Sequence, residues 1–340
     1  MPILSICIPT YNRKTYLENT LDNLTREPLF VNTDQIQIVI SDNCSTDDTQ
    51  ALCEKFAKKF PSKIKYIRQP EPLFAPLNIY GVLDYADGEY IKLQNDNIYF
   101  KPTELEKFVK IIQQEQKDII FCINRENPKG ETLVSYDNIS DIVAAISYMT
   151  TWMVTYCFKR TSYKKLENPH RCMQQWVTSV DVLFRMVEQG NSLVCYYKNI
   201  FCIQPIEQKG ASYNIAEVFG KNYLNLLKEQ VNKGQLSLSV FNKEKRKLLL
   251  KHINPFYFDI RGQYTFQRTG YFKFLWADYR KNLYFYAALV PMFLGKVFFG
   301  CVVNMHKDSQ YKYIHLLGFI KFKIKRRGKW RQGNEKKCQP

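Results

Sequence analysis

The four residues Gln94-Asn95-Asp96-Asn97 place one carboxylate among neutral amide oxygens, a donor set that suits a hard divalent cation. Mg2+ or Mn2+ held this way keeps several waters and takes further ligands from substrate phosphates, with Asp96 as the charged protein ligand. The same residue types also build ordinary polar turns. Three other short segments carry groups suited to a nucleotide. Pro9-Thr10-Tyr11-Asn12 offers a ring that can stack on a base and, beyond Asn12, the free backbone N–H groups of a helix start. Asp42-Asn43 brings a carboxylate that can accept from an imide N–H or a ribose hydroxyl, and Arg68 brings a cation that can neutralise phosphate. With Asn95 these residues form the nucleotide-binding set expected from the sequence. A separate acid, Asp181, stands near the start of an apolar helical stretch that stops at Gly190. A helix dipole alone favours an acid there by about 0.3–1 kcal/mol.

Positioning such groups requires elements that end where the groups begin. Ile3–Ile8, Ile36–Ile40, Ile64–Ile67 and Tyr90–Leu93 are apolar runs of strand length, and each is followed directly by one of the polar segments. Between them, Leu17, Leu21 and Leu24, then Leu52, Phe56 and Phe60, then Leu77–Tyr85 read as helices. This alternation predicts a doubly wound, mostly parallel α/β sheet flanked by helices, whose carboxyl edge collects the four segments into one pocket. No GxGxxG or GxxxxGK[ST] loop occurs, which excludes the usual dinucleotide and P-loop phosphate cradles. A further strand, Asp118–Ile123, closes a nucleotide half at residues 1–124. Residues 125–218 make a second half, in which 125–138 read as a polar loop and Tyr148–Phe158 as a strand.

Taken as an ordered set, Ser5-Ile6-Cys7-Ile8-Pro9-Thr10-Tyr11-Asn12-Arg13, then Val39 to Thr49 with its Asp42-Asn43, then Ala86-Asp87-Gly88-Glu89-Tyr90-Ile91 before an Asp-bearing tip resembles the start of a family 2 glycosyltransferase of the GT-A fold. The resemblance covers roughly residues 3–100. It implies an inverting transferase that uses a nucleotide-diphosphate sugar, with Pro9, Tyr11 and Asp42 around base and ribose and an Asp-x-Asp motif on the metal. This chain departs from the pattern: Gln94 stands at the first acid of the motif, Asp96 at the other, and Asn97 at a frequent third. Inversion also needs the acceptor hydroxyl deprotonated opposite the leaving diphosphate, a general-base role worth roughly a hundredfold to ten-thousandfold. Asp181 is the expected base, with Asp137, Asp141 and Glu188 as the next positions. The implied partners are a nucleotide-diphosphate sugar, most simply a UDP-sugar, and a lipid-linked or polymeric surface glycan such as lipopolysaccharide, capsule or teichoic acid.

Composition bounds the rest. At 340 residues with 45% hydrophobic and 15% aromatic content, the chain has material for a sizeable core and is not disordered. Ten cysteines without a CxxC pair and four dispersed histidines suggest neither a disulfide frame nor a zinc site, which fits a reducing cytoplasm. The net charge of +17 is divided unevenly, about −2 over residues 1–220 and about +19 over 221–340. Residues 219–340 are expected to be a basic, aromatic-rich helical region. Its most apolar window, Leu283–Met305, is broken by Pro291, Lys296 and Asn304, so an interfacial seat is favoured over a crossing. With the cation-apolar alternation of Lys321 to Arg327 and Trp330, residues 283–331 read as a patch for the anionic inner face of the cytoplasmic membrane. A nucleic-acid-binding protein is the rival reading of the same charge, but no RRM, KH, helix-turn-helix or zinc-finger signature supports it, and no nucleic-acid partner is expected.

Overall fold

A computed structural model describes residues 1–127, 129–206, 213–257, 266–267, 269–297, 303–307, 311–316 and 320–325. The first four strands are β1 (Leu4–Thr10), β2 (Ile36–Asp42), β3 (Ile64–Arg68) and β4 (Tyr90–Leu93). They are followed by β5 (Ile98–Phe100), β6 (Ile119–Cys122), β7 (Leu133–Tyr136), β8 (Tyr156–Lys159), β9 (Leu193–Tyr196) and β10 (Phe201–Ile203). Eight of these form one sheet in the order β3-β2-β1-β4-β8-β6-β9-β7, and β5 pairs with β10 in a small second sheet. β1, β2, β3 and β4 run parallel, as the alternation predicts. β8 lies antiparallel between β4 and β6. The register puts Thr10 beside Asp42 and Asp42 beside Arg68, so the polar ends of three strands line up on one edge. β4 stops opposite Cys7, and the Gln94 N–H donates to the Cys7 carbonyl at 2.9 Å. The tip after β4 is thereby seated against the last residues of β1.

Helices cover both faces. Lys14–Arg26 buries Leu17, Leu21 and Leu24, and Thr49–Lys59 buries Leu52 and Phe56, the same faces that the spacing marks. A second apolar cluster on the other face joins Ile91 and Phe121 to Ile142, Leu183 and Phe184 and continues into Tyr223, Leu227, Leu248, Ile253 and Phe285. The C-terminal helices therefore complete the core of the α/β unit. A helical run from Ile215 to Asn232 passes through position 218.

Three sequence expectations change. Residues 147–155, read as part of a strand, form two 3-10 turns, Ser147–Thr151 and Met153–Thr155. The hydroxyls of Thr150 and Thr155 donate back to the Ser147 and Trp152 carbonyls at 2.9 and 2.5 Å and so compete with a ladder. The stretch read as a polar loop at 125–138 contains β7, an edge strand paired with β9. Beyond the helix Leu283–Val297, the expected helical tail gives way to β11 (Val303–Lys307), β12 (Tyr311–Leu316) and β13 (Ile320–Lys325), an antiparallel sheet. The alternation Lys321-Phe322-Lys323-Ile324-Lys325 has the period of a strand. No helix among the described residues is long and apolar enough to cross a membrane. Among the described residues seven cysteines are free thiols, and Cys202 on β10 is disulfide-bonded, a link that the scattered spacing does not announce.

Lys92 ties the tip to the opposite half of the sheet. It is fully buried, with its ammonium donating to the Leu93 and Val154 carbonyls at 3.0 and 2.6 Å and lying 4.7 Å from the Phe201 ring centre. Burial pushes its pKa down. At the other end of β4, Gly88 touches β1: a Cβ there lies 2.7 Å from both the Ser5 nitrogen and its hydroxyl oxygen, which accepts the Gly88 N–H at 2.8 Å. Overpacking of this kind costs roughly 1–3 kcal/mol. Gly88→Ala is accordingly expected to lower stability by that amount in urea unfolding, and an unchanged midpoint refutes the close approach.

Candidate functional site

A cavity of about 660 Å3 opens at the carboxyl edge of β1 and β4. One wall is Pro9, Thr10, Tyr11, Arg13, Asn95 and Asp96; the facing wall comprises Ile79 and Tyr80 from helix Ala75–Gly81, the turn Thr151-Trp152-Met153, and Trp176, Tyr213, Val218 and Phe219. Asn43 and Asn78 lie between them. Six of the expected residues therefore meet at one place: Pro9, Thr10, Tyr11, Asn43, Asn95 and Asp96.

Asp96 is the only carboxylate, and Arg13 the only cation, on this wall among the described residues. Thr10 Oγ1 donates to Asp96 Oδ2 at 3.1 Å, Arg13 Nη1 lies 3.5 Å from Asp96 Oδ1, and Thr20 Oγ1 donates to the Asp96 carbonyl at 2.7 Å. Burial pushes the Asp96 carboxyl up to about 6, against the opposing pull of Arg13 and Thr10. The Gln94 and Asn97 amide N–H groups serve structure, donating to the Ile98 and Gln204 carbonyls at 2.7 and 3.1 Å, while the Gln94 Oε1 is buried without a hydrogen-bond partner. The Asn95 Oδ1 is buried without a hydrogen-bond partner. Asp96 and this oxygen are two hard donors side by side, which fits a cation completed by water and phosphate oxygens. No group of three or more His, Cys, Asp or Glu poised for a metal exists among the described residues.

Asn12, Asp42 and Arg68 lie behind the wall and brace it. Asp42 is fully buried: its Oδ1 accepts from the Ser45 N–H and hydroxyl at 2.9 and 2.5 Å, and its Oδ2 accepts from Tyr66 and Arg68 at 2.9 and 3.4 Å. Arg68 also donates to the Ser45 carbonyl at 3.2 Å. Pairing in adjacent register turns these two charges on each other, and the expected phosphate cation is not on the cavity wall. Asn12, at φ 50°, accepts the Thr46 N–H at 2.7 Å, and the Lys14 N–H at the helix start goes to Asp47 at 3.2 Å. Asn43 is closed on Leu73 through both amide atoms, at 2.8 and 3.0 Å.

Asp181 is 1% exposed and is not on the cavity wall. Arg171 Nε donates to it at 2.8 Å with a second guanidinium nitrogen on the same oxygen, and Arg185 approaches its other oxygen at 3.5 Å. Arg185 reaches on to the Glu167 and Asn168 carbonyls. The cluster thus pins residues 167–171, which lead into Trp176 at φ 61°. The same helix nears the wall through Ser179, which accepts from the Tyr80 hydroxyl at 3.2 Å. Glu188 pairs with Lys233, Asp141 belongs to a helix cap with Asn138, and neither lies on the wall; nor does Asp137. Sequence reasoning overlooked Arg13, although it follows the Tyr11-Asn12 pair directly, and it overlooked Trp176, Tyr213 and Phe219, which no local pattern marks.

The family model for glycosyl transferase family 2 matches residues 5–185. Abequosyltransferase RfbV of Salmonella typhimurium is 33% identical over 124 residues, 36% of this chain and 36% of the relative. The chain thus spans about a third of that protein's length in the match. The structure of Staphylococcus aureus TarS 1–349 in complex with UDP superposes with a TM-score of 0.58 at 13% identity, covering 93% of this chain and 97% of that one. Mannosyltransferase PcManGT of Pyrobaculum calidifontis, in complex with GDP-Man and Mn2+, gives 0.53 at 14% identity over 87% of each chain. The shared architecture is the expected GT-A fold.

Removing the Asp181 charge tests its anchoring role. Hydrogen bonds to charged groups are worth about 1.5–3 kcal/mol, so Asp181→Asn is expected to lose that much in urea unfolding, and a loss under about 0.5 kcal/mol refutes the anchor.

Proposed function

The chain belongs to glycosyl transferase family 2, and on that footing we propose that it is an inverting glycosyltransferase moving a sugar from a nucleotide-diphosphate donor to a hydroxyl of a lipid-linked or polymeric surface glycan. The observation that carries this reading is the Asp96–Arg13 pair set beside the half-exposed ring of Tyr11 at the carboxyl edge of a parallel sheet. Tyr11 offers its face to the base, Pro9 the neighbouring contact, and Asn43 and Asn95 the rim of the nucleotide pocket. Asp42 and Arg68 support the pocket from behind. Arg13 takes the place foreseen for Arg68 toward the diphosphate, because it lines the cavity and Arg68 does not.

Asp96, with the unpartnered Asn95 oxygen, would hold Mn2+ or Mg2+, which supplies charge stabilisation to a departing diphosphate. Asp181, with Arg171 and Arg185 on its carboxylate, positions the segment before Trp176. That arrangement favours one second reading, a nucleotide-binding homologue without transfer, since Asp96 is the only described acid on the wall. The name of one relative, a poly(ribitol-phosphate) beta-N-acetylglucosaminyltransferase, supports a polymer as acceptor.

A thermal-shift series with nucleoside diphosphates and nucleotide sugars, with and without Mn2+, tests the site, because a ligand of the native state raises the melting temperature. Asp96→Asn is expected to abolish the metal-dependent part of the shift and Arg13→Gln the diphosphate-dependent part, with nucleoside binding retained. Identical shifts in both variants overturn the site, and donor binding without any transfer product selects the second reading.

The basic C-terminal third supports a seat on the anionic cytoplasmic face of the membrane through 283–331. Replacing Lys321, Lys323 and Lys325 with Gln is expected to weaken binding to anionic vesicles by about 1 kcal/mol per cation. Equal vesicle binding refutes the membrane seat, and tighter binding to duplex DNA than to vesicles at matched salt revives the nucleic-acid reading.

A further inference from the structure

Away from the cavity, one face of the C-terminal helices leaves apolar side chains in water. Helix Tyr271–Tyr279 buries Tyr271, Leu275 and Tyr279 and turns Phe272 and Trp276, one turn apart, outward. The next helix, Leu283–Val297, seats Phe285 between Tyr271 and Tyr279, with ring centres at 6.2 and 5.9 Å, and leaves Leu283, Tyr286 and Val290 outward at helical spacing. Phe272 and Tyr286 both border the Phe285 ring, at 6.2 and 5.4 Å, so the two stripes make one patch. Exposure within it runs from 42% at Tyr286 to 87% at Leu283. An apolar side chain exposed singly is ordinary, whereas a row of them along one face of two joined helices marks a contact surface.

The charges around the patch say what it contacts. Between Gly270 and Val290 the cations are Lys273, Arg280 and Lys281, all exposed and none in an ion pair among the described residues. The single acid there, Asp278, is mostly shielded and paired with Lys228 at 2.5 Å. A second copy of this chain would set these cations against their own kind. A stripe rich in Phe, Trp and Tyr, framed by cations and free of exposed acid, instead matches an anionic bilayer, where rings settle at head-group depth and cations meet lipid phosphates. We infer that this helix pair is the part of the chain that enters an anionic lipid surface, with Phe272, Trp276, Leu283, Tyr286 and Val290 at the acyl boundary and Lys273, Arg280 and Lys281 on lipid phosphates. The inference rests on the membrane reading above and moves its apolar contact ahead of the basic strands.

The helix pair is also tied to the cavity. Gly220 lets helix Tyr271–Tyr279 approach, since a Cβ there would collide with Leu275, and the neighbouring Val218 and Phe219 line the cavity. Asn214, next to the cavity residue Tyr213, donates to the Thr269 carbonyl at 2.6 Å, just before the helix begins. One helix thus joins the lipid surface to the wall that faces Asp96, which suits an acceptor carried on lipid.

Trp276 reports on the contact directly. The full chain is mixed with vesicles of phosphatidylcholine and phosphatidylglycerol in equal parts, with and without bromine on the acyl chains, and its tryptophan emission is compared with that of Trp276→Phe, which keeps an apolar ring. Brominated lipid is expected to quench the wild-type emission, and most of that quenching is expected to disappear in the variant. In co-sedimentation at a salt concentration that screens the basic strands, Phe272→Ser with Val290→Ser is expected to weaken vesicle binding about tenfold per side chain. Both side chains are exposed, so the urea midpoint of that variant stays near the wild-type value. Vesicle binding with equal quenching in Trp276→Phe, or with equal affinity in the serine variant, overturns the inference and leaves the membrane reading standing. A wild-type chain that binds no vesicles overturns both. Self-association that the serine substitutions abolish, with vesicle binding intact, overturns the inference and gives the face to a second copy.

Discussion

A carboxylate that has left water must find hydrogen bonds or give up its charge, and Asp96 is held between those outcomes. It is 7% exposed at the end of a strand, with the Thr10 hydroxyl on one oxygen, the Arg13 guanidinium near the other, and the Thr20 hydroxyl on its carbonyl. All three partners come from one stretch, the end of β1 and the helix that follows. The seat of that helix, the stop of β4 opposite Cys7 and the direction of the tip are therefore one arrangement. Its carboxyl, pushed up to about 6, reflects a site whose native partners compensate the charge only in part. A cation completes such a site more readily than it builds one.

The facing wall is fixed by a different device. Lys92 reaches from β4 to the Val154 carbonyl at 2.6 Å and so sets the turn that presents Trp152 and Met153 at a definite distance from the tip. An ammonium without a carboxylate partner is an uncommon core group, tolerated here because two carbonyls and the Phe201 ring accept it. On the same wall, Asp181 and its two arginines hold the segment that ends in Trp176, whose ring lies 5.3 Å from that of Tyr213 and 5.5 Å from that of Phe74. Two parts of this wall are thus attached to rigid elements independently, one through buried Lys92 and the other through buried Asp181.

Charge and packing divide the C-terminal third between them. Its helices are basic in sequence yet insert Tyr223, Leu227, Leu248 and Phe285 into the core of the α/β unit. Glu244 is drawn in as well, with both carboxylate oxygens at 2.8 Å from the Ser147 hydroxyl, and burial raises its pKa.

By itself the sequence determined the alternation of strands and helices over the first hundred residues, the placement of polar segments directly after β1, β2, β3 and β4, and the asymmetry of charge. These are local properties: an apolar run of strand length buries itself, and the residue that follows must surface at its end. Tertiary structure alone decided which of those polar groups faces the cavity. Asp42 and Arg68 are 26 residues apart in the chain, but parallel register makes them neighbours, and opposite charges in contact turn toward each other. Arg13, with no such neighbour on β2, was left to the cavity. Asp181 was legible as a helix-start acid, but its pairing with Arg171 and Arg185 was not. Trp176, Tyr213 and Phe219 come from segments with no shared pattern, because an aromatic wall assembled across sequence-distant loops has no period for a sequence to display.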